Sequence, residues 1–200
     1  MYDASTGDAA AQRPENPFSS RFVRPGAIEF LFPAGITAAS LVDAFLAGNR
    51  CGQIVGPHGS GKSTLLAALE RELARREIPI AHVELHDGER RLPNFAPPSN
   101  AGVLVVDGYE QLGWWARRKL KRLRSDYGLG LLVTTHRSAG FATLYETTTT
   151  PQLAEQLTGR LLAEQPGLAP AEIREAYEHA RGNLRELFFR LYDLYESRRS

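Results

Sequence analysis

A single cysteine, Cys51, stands in the 200 residues. No internal disulfide framework can form, as expected in a reducing compartment, so an apolar core has to hold the fold. No apolar run approaches membrane-spanning length, and the N-terminus lacks the basic-then-apolar order of an export signal. Charge nearly cancels: 24 Lys and Arg against 23 Asp and Glu leave a formal +1. Composition as a whole therefore points to no polyanionic partner. No internal repeat is visible, and low complexity is confined to the four threonines at 147–150. These absences describe a soluble, cytoplasmic protein with no membrane association. Its length suits one domain, or one domain with a small appendage.

What is present alternates between short apolar runs and helical periodicity. Residues 1–15 are small, polar and proline-containing, which reads as a mobile tail. A short helix is expected around Ala38–Leu46, and strands over Cys51–Val55, Ile80–Leu85, Val103–Asp107, Gly130–His136 and Leu144–Thr148. Leu65, Leu66, Leu69 and Leu73 recur at helical spacing after the first strand, and a helix from Tyr109 to Tyr127 follows the third. Residues 87–100, with three prolines, read as a loop. From Pro151 the strands stop and three helices follow, about Leu153–Leu161, Pro170–Arg181 and Asn183–Glu196. Strands alternating with helices imply a parallel α/β sheet. The helical tail is too short to fold alone and should pack on that core.

The stretch Gly56-Pro57-His58-Gly59-Ser60-Gly61-Lys62-Ser63-Thr64 fits G-x-x-x-x-G-K-[ST], the P-loop or Walker A motif. Glycines without a Cβ let successive backbone N–H groups turn inward around a phosphate chain. The loop opens a helix whose first amides lack partners and whose positive dipole end faces the anion. Lys62 is placed to reach the β- and γ-phosphates, and the Ser63 hydroxyl to ligate Mg²⁺. Val103-Leu104-Val105-Val106-Asp107 is then a Walker B strand, whose carboxylate serves the same metal through a water. The expected ligand is a nucleoside triphosphate with Mg²⁺.

Three further segments resemble the AAA+ ATPases among the P-loop NTPases. Asp107-Gly108-Tyr109-Glu110-Gln111-Leu112 resembles the Asp-Glu-Ala-Gln-x-Leu segment of transposition and secretion AAA ATPases. Leu132-Val133-Thr134-Thr135-His136 occupies the strand where the family carries a polar sensor of the γ-phosphate. Gly182-Asn183-Leu184-Arg185-Glu186 resembles the Gly-Asn-x-Arg-Glu of the helical lid, whose arginine is sensor 2. The resemblance implies a parallel-sheet core over 16–150, a helical lid over 151–200, ATP as the nucleotide and a protein partner or homo-oligomer. By it, Arg185 becomes sensor 2, Thr135 or His136 the sensor, and Arg137 the one arginine available as a finger. Gly108 departs from the pattern, standing where the family puts the water-orienting Glu; Glu110, about one turn later, is the candidate replacement. Phe18 or Phe22 is the candidate to pack on adenine, and the Asn-Lys-x-Asp of GTPases is absent. Two other readings stay open: a small P-loop kinase with Asp87 as base, and an ATP-binding switch with negligible turnover, which Gly108 favours.

A second surface is visible in the helix after Asp107. On a helical wheel Leu112, Ala116, Leu120, Leu123 and Tyr127 share the core face, with Trp115 at its margin. Trp114 falls opposite, amid Arg117, Arg118, Lys121, Arg122 and Arg124. Arginine with an aromatic can contact a phosphate backbone and stack on a base, or form the hot spot of a protein interface. Nucleic acid, a protein partner and the lid of a neighbouring subunit all fit that face, as does plain solvent.

Overall fold

Five runs of aliphatic residues pair into a parallel sheet: β1 Cys51–Val55, β2 Ile80–Glu84, β3 Val103–Asp107, β4 Gly130–Thr135 and β5 Ala142–Glu146, in the spatial order β2-β3-β4-β1-β5. The structure is a computed structural model and describes residues 15–93, 102–163 and 167–199. The expected tail, apart from Glu15, and the end of the proline-rich loop from residue 94 lie outside the described residues.

The helices are α1 Ser20–Val23, α2 Ala38–Ala47, α3 Lys62–Arg75, α4 Trp114–Tyr127, α5 Pro151–Leu162, α6 Pro170–His179 and α7 Leu184–Ser197. Side chains of β3 alternate between two cores, as the strand pleat requires. Val103 and Val105 meet Leu65, Leu66, Leu69 and Leu73 of α3 and Val42 and Phe45 of α2. Leu104 and Val106 meet Ala116 and Leu120 of α4. Both faces of the sheet are therefore covered, which is why β3 reads as an unbroken apolar run.

A third cluster joins α5, α6 and α7 through Ala154, Leu157, Ile173, Leu187 and Leu191. The segment ahead of α2 belongs to it: Phe18 is buried, its ring 6.5 Å from Phe188 and 6.0 Å from Tyr195. Asn16 ties the same segment down by donating to Tyr192 O (3.1 Å) and to Glu196 Oε1 (2.8 Å). The threonine tract is equally structural. Thr150 caps α5 by accepting from Leu153 N–H at 3.1 Å, and Thr149 donates to Gly182 O at 2.8 Å.

Several expected elements shift. The helix anticipated from Tyr109 is a 3-10 turn, Tyr109–Gln111, broken at Gly113 before α4 begins. The last strand starts two residues earlier than expected, at Ala142, because its side-by-side partner β1 sets the register. Tyr127 and Trp115 are exposed and Leu123 only partly buried, so the core face of α4 is narrower than the wheel suggests. Among the described residues, no helix is long and apolar enough to cross a membrane.

Phe18 tests whether the first described segment is integral to the lid. Phe18→Ala should cost about 3–5 kcal/mol, the range for a buried aromatic truncated in a packed core. Urea unfolding checks this; a change within about 0.5 kcal/mol, typical of a surface site, would detach the segment from the lid core.

Candidate functional site

Parallel register sets the carboxyl ends of β1, β3 and β4 side by side, and the candidate site is built on those ends. After Val55 the chain turns through Gly56–Gly61 into α3. Gly56 N–H donates to Thr135 O at 3.1 Å, rooting the loop on the sheet. The Ser60 hydroxyl donates to Pro57 O (2.8 Å) and shares a 2.6 Å hydrogen bond with the Thr147 hydroxyl. Lys62 donates to Gly56 O and Pro57 O, each at 2.8 Å. Burial lowers the pKa of its ammonium, against the pull of the Glu110 and Asp107 carboxylates.

The Thr134 hydroxyl donates to Asp107 Oδ1 and accepts from Gly108 N–H, the latter at 2.9 Å. Gly108 has a φ of +82°. A Cβ at this position would lie 2.8 Å from Leu85 O. The residue after Asp107 is thus pressed against a backbone in a conformation that disfavours a side chain. The acid comes two residues later, on the 3-10 turn: Glu110 Oε1 lies 3.2 Å from His136 Nδ1. Glu110 Oε2 is buried and has no hydrogen-bond partner among the described residues. The His136 ring sits 3.7 Å, centroid to centroid, from that of His58 in the P-loop. Burial pushes the His136 pKa down; Glu110 opposes this, while Lys62 and His58 reinforce it.

The lid meets the P-loop directly. Leu184 N–H donates to Gly59 O at 3.1 Å. Asn183 caps α7, its Oδ1 accepting from Arg185 N–H (3.0 Å) and Glu186 N–H (3.3 Å). Gly59 has a φ of +66°, and a Cβ on it would fall 1.8 Å from Asn183 Oδ1. Between loop, lid and first segment lies a cavity of about 500 Å³. Gly59, Ser60, Gly61, Lys62, Ser63 and Thr64 form its polar end, and Arg185 reaches it from α7. Ile28, Phe30, Leu153, Leu157 and Phe188 supply apolar walls.

By sequence, no family model and no curated protein matches the chain. Solved structures do match it. A RuvB variant from Thermotoga maritima gives a TM-score of 0.54 at 17% identity, over 78% of this chain and 60% of that one. NtrX from Brucella abortus in complex with ATP gives 0.53 at 17%, over 82% and 50%. A replication initiator DnaA, bound to AMPPCP and single-stranded DNA, gives 0.55 at 15%, over 84% and 63%. The likeness is one of fold: a parallel α/β sheet followed by a C-terminal helical segment. The chain spans between 50% and 63% of the length of these three structures.

Within this fold, several sequence-designated residues lie close together. The P-loop, Asp107, Glu110 and His136 share one rim, and Lys62, Ser63 and Arg185 share the cavity. Others are placed differently. Thr135 turns its hydroxyl to Arg137 O at 2.8 Å, so Thr134 is the strand residue that engages Asp107. Phe18 lies in the lid core, and Phe22 does not line the cavity; the aromatics that do include Phe30, Phe32, Tyr145 and Phe188. Arg117 points inward, donating to Leu112 O (2.8 Å) and Glu110 O (3.0 Å) and covering the Tyr109 ring, which removes it from the solvent face of α4. Sequence reasoning passed over Thr147 as part of a low-complexity tract. Its only signal was position, one residue beyond β5 and level with the P-loop.

The backbone at Gly108 gives a direct test. Gly108→Glu should destabilise the protein by at least roughly 1–2 kcal/mol from the left-handed conformation alone. Gly108→Ala should show a similar loss. Equal stability of wild type and both variants in urea would mean the turn relaxes freely.

Proposed function

We propose that the protein binds Mg·ATP in the cavity between P-loop and lid, and hydrolyses it to switch an interaction with a partner. The observation that carries this is the convergence of Lys62, Ser63 and Arg185 on one cavity that also has apolar walls. Triphosphate in the loop replaces the carbonyl contacts of Lys62 with charge-assisted ones, and α3 adds its positive end. The base lies against Ile28 and Phe30. Arg185, on the first turn of α7, meets the terminal phosphate and makes lid position depend on which nucleotide is bound.

Mg²⁺ suits the residues present. The Ser63 hydroxyl and the Asp107 carboxylate are hard oxygen donors, and among the described residues no cluster of His, Cys, Asp and Glu could hold a metal without the nucleotide's help. When bound, the ion neutralises phosphate charge during transfer. Glu110 orients the attacking water and takes its proton, and His136 holds Glu110 in place from 3.2 Å. Arg137, exposed beyond β4, is available to a neighbouring copy in a homo-oligomer. A lone Cys51 whose thiol pKa is raised by burial suits the cytoplasm.

An ATP-binding switch with negligible turnover is the second reading, favoured by Gly108 at the position of the usual acid. Two measurements separate the possibilities. Mg·ATP at a hundredfold excess over Kd should stabilise the wild type by about 2.7 kcal/mol, and Lys62→Ala should lose most of that gain. Equal stabilisation of both proteins would overturn the nucleotide assignment. Glu110→Gln should leave the ATP-induced stabilisation intact and lower turnover about 10²–10⁴-fold. Wild-type turnover indistinguishable from this variant's would favour the switch.

A further inference from the structure

We propose that the outer face of α4 is a docking surface for single-stranded nucleic acid, gripped through phosphates and base faces and so without sequence preference. Trp114 and Trp115 are 63% and 76% exposed, the two most exposed large apolar residues of the described chain. Their rings meet edge to face, with centroids 4.4 Å apart. Arg118, Lys119, Lys121 and Arg122 follow on the same helix, all exposed. Arg118 and Arg122 sit one and two turns beyond Trp114, about 6 Å apart along the axis. Asp126, at the far end, is the one acid in the helix.

Charge complementarity selects the occupant. At the end of α3 the arginines are answered within the fold: Arg76, just past the helix, pairs with Asp43 and Glu72, and Arg75 with Glu72. On α4, by contrast, Arg117 and Arg124 turn back to backbone carbonyls, whereas the four outward cations have no ion pair among the described residues. A protein of formal charge +1 thus concentrates four cations without an ion pair among the described residues on one helix face, with Arg118 5.8 Å from the centre of the Trp114 ring. A row of cations along an axis matches a chain of phosphates, and two indoles at its head match unstacked bases. Base faces are open in a single strand and covered in a duplex. Phosphates and base faces are common to every nucleotide, hence the lack of sequence preference.

The chain's only two tryptophans are on this patch, so its intrinsic fluorescence reports the site. Titrating the full chain, without nucleotide, with an oligothymidylate should quench that fluorescence. If four phosphates are neutralised, affinity should weaken about 50-fold between 50 and 200 mM salt, from a slope of about −0.7 per phosphate. Arg118→Glu with Lys121→Glu keeps both indoles and should abolish quenching, while Trp115→Ala should weaken binding, read by anisotropy, about 5- to 150-fold. Unchanged thermal unfolding of these variants excludes a folding defect, as expected for exposed positions. No quenching at low salt, quenching indifferent to the charge reversals, or equal affinity for duplex would each overturn the proposal. Tighter quenching by polyglutamate than by the oligonucleotide would overturn it in favour of an acidic protein partner. Repeating the titration on Lys62→Ala separates this surface from the nucleotide cavity: loss of ATP response there leaves oligonucleotide binding unchanged.

Discussion

Gly59 carries the junction on which the arrangement depends. Its carbonyl accepts from Leu184 N–H at 3.1 Å, and its missing Cβ is the space into which Asn183 fits. One residue of the P-loop therefore supports both the first amide and the cap of α7. Because Asn183 also caps Arg185 and Glu186, the orientation of α7, and with it the approach of Arg185 to the cavity, follows from that contact. Thr149 and Tyr177 brace the same corner, with Tyr177 donating to Thr149 Oγ1 at 2.9 Å and Thr149 to Gly182 O. The loop and the helical segment are therefore joined at a single residue.

The second constraint comes from the sheet. With β3 and β4 parallel and in register, Asp107 and Thr134 come within hydrogen-bonding reach although 27 positions separate them. Thr134 also takes the Gly108 amide, which commits the chain to a left-handed turn directly after the carboxylate. The turn carries Glu110 to His136, and Arg117 of α4 holds its carbonyl from the other side. The position of Glu110 is thus a consequence of backbone geometry, with neighbours that hold it.

Electrostatics divides along the same lines. Overall charge is nearly zero, and much of the local charge is internally satisfied: Arg75 and Arg76 hold the Glu72 carboxyl down to a pKa of about 2 through hydrogen bonds. Lys62 and His136 are shifted downward mainly by burial around the P-loop. The outward face of α4 is the exception to this balance. An average over composition hid it, because a net charge sums over residues that never meet.

The sequence by itself determined the strand–helix alternation, the P-loop and the Asp107 strand, since these rest on local periodicity and on a motif whose spacing is set by phosphate geometry. The structure adds the caps, with Asn183 and Thr150 at helix starts where their oxygens meet free amides. Tertiary structure alone decided which threonine faces Asp107, because a one-residue change along a strand reverses the face and only pairing selects it. It also decided that Phe18 serves the lid core and Phe30 the cavity, since both are aromatics in one irregular segment without periodicity. Arg117 and Arg118 are adjacent in sequence and alike in chemistry, yet one clamps the Glu110 turn and the other faces solvent. What separates them is 100° of helix rotation and carbonyls that the fold brings from outside the helix.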